Sequence, residues 1–361
     1  MQKILYISPI DWDWIKQRPQ FLAEALAEAY EVHVLYRKQF NRRGLRRSAR
    51  DRKLRLYSYR TLPSVFGRSR TLAAVSAGIQ SKKYGEVLAR VEPDWVWLTH
   101  PSQAGLLEAA PPAKLVYDCM DDYMLLGCTE ETREELARQE RMICGQADLV
   151  FASSMELAER LRKRYGLSGK LFLIRNGCPE AGVSAAPSAS KRSKRFRLLY
   201  FGTISDWFDF DLIQRSLERF PNIEYELVGP RQTKAFSHDR CRYRGTLPHE
   251  QLWRCASAAD CLVMPFINCE MVRAVDPVKM YEYISFQRNI LCLSYPETQR
   301  FRPFASLYSG AEEYLLRLGE LLEDNRLKYT AEQAADFLAR NSWRQRAGQA
   351  AELMEGHRAI G

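Results

Sequence analysis

A lysine and a glutamate stand three residues apart, Lys279 and Glu282, inside the stretch Asp276-Pro277-Val278-Lys279-Met280-Tyr281-Glu282. Asp before Pro is a helix-start pattern: the carboxylate can accept from unpaired N–H groups, and Pro suits the first turn. Residues three apart share a helix face. A helix N-terminus attracts anions, because its free N–H groups and the macrodipole both present positive potential. Lys279 adds a point charge for phosphate, and Glu282 one turn on can accept from two vicinal ribose hydroxyls. The stretch reads as a seat for a nucleotide diphosphate. The competing reading is a capped surface helix with an ordinary Lys–Glu pair.

The elements around it favour the seat. Residues 197–201 read as a strand ending in Gly202-Thr203-Ile204-Ser205, where glycine permits close backbone approach to a phosphate. Residues 223–228 form a strand ending in Gly229-Pro230-Arg231, and 242–244 a short one running into Gly245-Thr246-Leu247-Pro248. A buried strand at 261–264 leads through Pro265-Phe266 to Asp276, and 289–293 follows the helix. Helices are expected at 210–220 and 249–258, and the chain closes with helices, one starting near Asn341-Ser342-Trp343. Gly202, the Gly245 loop and the Asp276 helix thus all fall at strand carboxyl ends, where open α/β sheets hold their ligands.

The first half has the same rhythm. Strand 3–8 ends in Pro9-Ile10-Asp11-Trp12-Asp13-Trp14, and Pro19 opens a helix. The loop lacks G-x-G-x-x-G, so a dinucleotide is not indicated. Its tryptophans and aspartates could grip a sugar or pack inward, and Arg18 could orient the loop or be structural. Strand 31–36 follows, then helix 71–90. Strand 94–99 delivers His100, a candidate substrate contact that could equally be a structural hydrogen-bonder. Strand 114–118 leads into Cys119-Met120-Asp121-Asp122-Tyr123. Asp118, Asp121 and Asp122 crowd one strand end, where a carboxylate must be solvated, paired or used. One of them could be a general base that deprotonates a hydroxyl; a turn-forming acidic loop is the alternative. Helix 130–146, strand 148–152, helix 155–165 and strand 171–174 complete this half.

The 361 residues, 46% hydrophobic, suffice for two domains. The small, polar, Pro- and Gly-containing stretch 179–195 marks a linker between domains at 1–178 and 196–339. Nothing resembles a signal peptide or a membrane span. Nine cysteines without C-x-x-C spacing and five histidines without an array suggest reduced thiols and no metal site. The net charge of +10 concentrates at 37–60, which holds eleven Lys or Arg against Asp51. Such a patch could meet nucleic acid, anionic lipid or an acidic substrate. With no RNA-binding aromatic signature or zinc finger beside it, nucleic acid is disfavoured.

Taken together, 12–22 (WDWIKQRPQFL), 115–122 (LVYDCMDD), 148–154, 174–177, 199–202, 245–260 and 276–282 resemble the GT-B glycosyltransferases. The likeness is to the family 4-like group that includes teichuronic-acid-type and other exopolysaccharide transferases. Pro-x-Lys-x-x-Glu after a Pro-Phe strand end is its most specific piece. The resemblance implies an α/β fold of two Rossmann-like, doubly wound domains facing a central cleft, with 340–361 crossing back to the first. It implies a nucleotide-sugar donor, a UDP-hexose or UDP-hexuronate, on the second domain and the acceptor on the first, with no cofactor or metal. Lys279 would hold the phosphates and Glu282 the ribose. The Gly202–Thr203 loop would approach the diphosphate, and the backbone of Gly245, Thr246 and Leu247 would border the base, with Arg231, Pro277 and Met280 in the same set. Retaining members carry a Glu where this chain has Ala274; inverting relatives use an N-domain Asp as base, here Asp121 ahead of Asp122 or Asp118. Such enzymes act on lipid-linked or polysaccharide acceptors in cell-surface glycan assembly. They sit in the cytoplasm, peripheral to the inner membrane face, where segment 37–60 would meet anionic lipid at about 1 kcal/mol per basic residue. A nucleotide-sugar epimerase on the same fold, or an inactive peripheral-membrane partner of an assembly complex, are the alternatives.

Overall fold

A computed structural model describes residues 1–13, 16–38, 53–61, 70–126, 129–179, 195–234 and 236–357. The chain divides into two compact units, Met1–Pro179 with Trp343–Gly361, and Glu180–Ser342. Trp14, most of the basic segment 37–60 and all of the expected linker but its two end residues lie outside the described residues.

The first unit is built on seven parallel strands: β1 (Lys3–Ser8), β2 (Glu31–Arg37), β3 (Leu54–Tyr59), β4 (Trp95–Leu98), β5 (Leu115–Cys119), β6 (Leu149–Ala152) and β7 (Leu171–Leu173). They lie in the order β3-β2-β1-β4-β5-β6-β7. Parallel sheets are covered on both faces, so their strands read as nearly unbroken apolar runs. Alternate residues go to opposite faces. Leu5, Ile7, Val96, Leu98 and Tyr117 pack with helices Arg70–Val91, Glu130–Gln146 and Met155–Tyr165 through Tyr84, Ile143 and Leu161. Ile4, Tyr6, Trp95, Trp97 and Phe151 pack with helix Arg18–Leu26 and with the returning helix Trp343–Gly356. There the Phe21 and Trp343 rings stack, with centroids 5.3 Å apart. Strand order reverses between β1 and β4, which makes their carboxyl ends the switch point.

The second unit repeats the plan with β8 (Phe196–Phe201), β9 (Ile223–Val228), β10 (Cys241–Tyr243), β11 (Cys261–Met264), β12 (Asn289–Leu293) and β13 (Ser306–Tyr308). Their order is β10-β9-β8-β11-β12-β13, all parallel, with the reversal between β8 and β11. Helices Phe210–Arg219 and Ala311–Glu323 cover one face through Leu212, Leu217, Tyr314 and Leu318. A buried hydroxyl chain runs there from Ser216 through Tyr225 to Tyr314, with spacings of 2.8 and 2.6 Å.

Two edge strands are absent from the sequence reading. β3 lies inside the segment read only as a basic patch, and Arg55 on it pairs with Glu31 on β2 at 2.9 Å. β13 lies in the stretch where the sequence pattern shows only the closing helices. β3 is only partly buried and carries Arg55, and β13 is three residues long, so neither shows the long apolar run that marks a central strand.

Arg18, 5% exposed, settles its own ambiguity. It donates to both carboxylate oxygens of Asp118 on β5, at 2.7 to 3.2 Å, and to Arg175 O and Asn176 Oδ1 beyond β7. The guanidinium therefore ties the first helix to strand ends across the sheet. Removing one partner of such a pair strands a buried charge, which costs about 3 to 5 kcal/mol. Arg18→Met should lower unfolding stability by that amount in urea titration, and Arg18→Met/Asp118→Leu should recover most of it.

Candidate functional site

Three glycines end the adjacent strands β8, β9 and β10. Gly202, Gly229 and Gly245 have φ of +148°, +134° and +67°, a region that L side chains rarely enter. The loops are knitted together: Gly202 N–H donates to Val228 O, and Gly229 N–H to Gly245 O. A Cβ on Gly229 would stand 2.0 Å from Gly202 O, so no other residue fits. The sequence places Gly229 at a strand end, but nothing local marks it as part of the site; the close approach to Gly202 does.

Helix Val278–Ser285 opens beside this corner. Its N–H groups at Val278 and Lys279 come before any helical acceptor. Lys279 is directed at the strand end: its Nζ lies 5.1 Å from the Phe201 ring centroid, and a Cβ on Gly202 would be 3.4 Å from its Cε. Nζ also bonds Glu282 Oε2 at 2.8 Å, the two side chains being 34 and 30% exposed. Cation, carboxylate and glycine backbone thus share one partly open corner at the carboxyl end of the sheet. Thr203 is half-buried, and its carbonyl accepts from Tyr200 Oη at 2.8 Å. Gly245 and Leu247 are half-buried and Thr246 exposed. Arg231 is exposed and lies over the Tyr243 ring at 4.7 Å, with Tyr243 Oη donating to Gly229 O.

Two expectations here need correction. The cap position belongs to Pro277, not Asp276, whose side chain is wholly buried against Arg300 and Tyr281. Met280 turns its side chain into the core at 0% exposure, and its N–H bonds Pro277 O, so it has nothing to offer a ligand.

In the first unit the three aspartates have different fates. Asp118 is buried in the Arg18 pair, which leaves it no room to act as a base. Asp122 accepts from Arg160 at 2.9 Å and from Arg164 at 2.7 and 2.9 Å. Burial pushes its carboxyl up, but the hydrogen bonds from Arg164 and Arg160 outweigh this and hold it below the ordinary range. That pairing also removes Asp122 as a base. Asp121 keeps its carboxylate without a hydrogen-bond or ion-pair partner among the described residues. Burial raises its pKa, opposed by Arg18 and reinforced by the Asp122 charge.

The loop around Asp121 is pinned on both sides. Ser153 Oγ donates to Met120 O at 2.7 Å, and Tyr123 Oη to Thr99 O at 2.8 Å. His100 packs edge-on to Tyr123, with centroids 4.4 Å apart. Its Nδ1 accepts from Ser102 N–H, so the ring carries its proton on Nε2; burial and the Arg37 charge lower its pKa to about 4. Trp12 is 2% exposed against Tyr36 and packs rather than grips a sugar. Among the described residues no three His, Cys, Asp or Glu gather as a metal site.

Gly229→Ala should cost about 1 to 3 kcal/mol through backbone strain alone, with the overlap on Gly202 O in addition. A chemical melt as stable as wild type would show that the two loops do not meet this closely.

Residues 20–181 match the model of Glycosyltransferase Family 4. No curated protein matches the chain. Among solved structures it is similar to sucrose-phosphate synthase from Thermosynechococcus elongatus, at 16% identity and TM-score 0.73 over 100% of both chains. It is also similar to Anabaena HepE, solved with UDP and glucose, at 15% identity and TM-score 0.73 over 98% of this chain and 100% of that one. A third is the lipopolysaccharide outer core galactosyltransferase WaaB, at 12% identity and TM-score 0.65 over 98 and 100%. At these identities the structural likeness shows the fold, GT-B with two Rossmann-like domains, and the family match is confined to residues 20–181. The chain thus has the GT-B fold, and its residues 20–181 are similar to Glycosyltransferase Family 4.

Proposed function

We propose that the enzyme transfers a hexosyl or hexuronosyl group from a UDP-sugar to a hydroxyl of a lipid-linked or polysaccharide acceptor. The observation that carries this reading is the meeting of Lys279 with Gly202, which brings a cation and a helix N-terminus to a Cβ-free strand end. HepE, of the same fold, is described in complex with UDP and with UDP-glucose, and WaaB as a galactosyltransferase of lipopolysaccharide. In this reading the diphosphate lies on Lys279 and the Val278 and Lys279 N–H groups, and the ribose hydroxyls bond Glu282. The glycine backbone at 202 and 245 borders the phosphates and the base.

The acceptor belongs to the first unit. Asp121 takes the proton of the acceptor hydroxyl as its oxygen attacks the anomeric carbon. The bond from that carbon to the diphosphate oxygen breaks, and its electron pair leaves with UDP. Lys279 and the helix N-terminus stabilise the charge that develops there. Direct attack assisted by Asp121 inverts the anomeric centre, in keeping with Ala274 at the position where retaining members hold Glu. The acceptor is met at an anionic membrane face by the basic segment 37–60. No helix among the described residues is long and apolar enough to cross a membrane.

Calorimetry with UDP tests the donor seat. A hydrogen bond to a charged group contributes about 1.5 to 3 kcal/mol, so Lys279→Ala should weaken UDP roughly 10- to 100-fold; equal affinity would remove Lys279 from the phosphates. Asp121→Asn should lower turnover by about 10²- to 10⁴-fold while UDP binds as before. Asp121 works deprotonated, so kcat/KM should fall as pH drops through its raised pKa, above the ordinary aspartate value of about 3.9. An acid limb at that ordinary value, or one surviving in Asp121→Asn, would assign the base elsewhere.

A further inference from the structure

We propose that Arg300 is a positioning residue for the donor, acting through Asp276 to keep the N-terminus of the Lys279 helix open to phosphate. The inference rests on the nucleotide seat proposed above and adds the device that keeps it electrostatically vacant.

Asp276 stands two residues before the helix, and its carboxylate has no solvent exposure. A carboxylate there is attracted to the same free N–H groups and dipole as a phosphate would be. Left uncompensated, it would both compete with the diphosphate and repel it, strongly so in a buried setting. Arg300 removes that conflict. Its Nη2 pairs with Asp276 Oδ1 and donates to Tyr281 Oη at 2.8 Å, while Tyr281 Oη donates to Asp276 Oδ2 at 3.3 Å.

The triangle joins three places in the chain: the residue before the helix, the helix itself, and the 3-10 turn Pro296–Phe301 after β12. The guanidinium is held over the Phe301 and Tyr281 rings, 4.4 and 5.2 Å from their centroids, so its direction is fixed. A sequence-capped helix would turn its Asp toward the N–H groups. Here the Asp is drawn to Arg300, and Pro277 takes the cap position without a side-chain acceptor.

The test is UDP calorimetry on the full chain with Arg300→Met, Arg300→Lys and Arg300→Met/Asp276→Asn, each checked for a wild-type melt. Arg300→Met should weaken UDP at least about tenfold, because a buried negative charge now faces the diphosphate. Arg300→Lys and the double variant, in which the charge is restored or removed with its partner, should both bind within about threefold of wild type. A merely structural triangle predicts the reverse for the double variant, which lacks every bond of the triangle that Arg300 makes. Wild-type affinity in Arg300→Met, or a double variant as weak as the single one, overturns the inference. If Arg300→Met does not fold, the other two decide by the same threefold criterion. A wild type that fails to bind UDP would instead sink the proposed donor seat and leave the Arg300 pair a matter of folding alone.

Discussion

The second unit depends on a place where two backbones pass too close for any side chain. Gly202 and Gly229 end neighbouring strands, and the carbonyl of one occupies the space where a Cβ of the other would be. That contact draws the loops after β8 and β9 together and leaves the end of β8 bare. Lys279 reaches over it from the following switch-point element, with its stem against the glycine and its ammonium near the Phe201 ring. A larger residue at 202 would push into Tyr200 Oη, which already bonds Thr203 O. The shape of this corner is therefore set by what is missing from the backbone as much as by the charges placed beside it.

In the first unit the governing fact is which carboxylates are already in use. Arg18 consumes Asp118, and Arg160 with Arg164 consumes Asp122. Each pair costs desolvation and is repaid by multiple hydrogen bonds, so it rigidifies the strand ends rather than serving chemistry. Asp121 sits between them on a loop pinned at Met120 and Tyr123, raised in pKa and with its carboxylate lacking a hydrogen-bond or ion-pair partner among the described residues. A carboxylate so placed, in the role proposed for it, needs little reorganisation before it accepts a proton. His100 beside Tyr123 stays neutral near pH 7 and can offer Nε2–H as a donor.

The parallel sheets were legible because central strands such as β1, β4 and β8 are buried on both faces and carry apolar runs that no other element explains. The glycines at 202 and 245 were legible as strand ends, and Lys279 with Glu282 as a helix-face pair. What escaped the sequence was long-range pairing. Nothing local says that Asp118 meets Arg18 one hundred residues away, or that Asp276 meets Arg300 rather than capping the helix beside it. Asp-Pro is a cap signal only if no buried cation competes for the carboxylate. Trp12 likewise looked available beside two aspartates, until the fold placed Tyr36 against it. The edge strands β3 and β13 escaped for a different reason, since one is masked by charge and the other is three residues long.

The central claim is that a nucleoside diphosphate binds where the Gly202 loop meets the helix of Lys279. Hydrogen–deuterium exchange of the full chain, with and without saturating UDP, reads this directly. The account predicts slowed exchange at 200–204, 229–232, 245–247 and 277–282, with the β1 to β7 core unchanged. Unaltered exchange at 200–204 and 277–282, with protection appearing elsewhere, would contradict it.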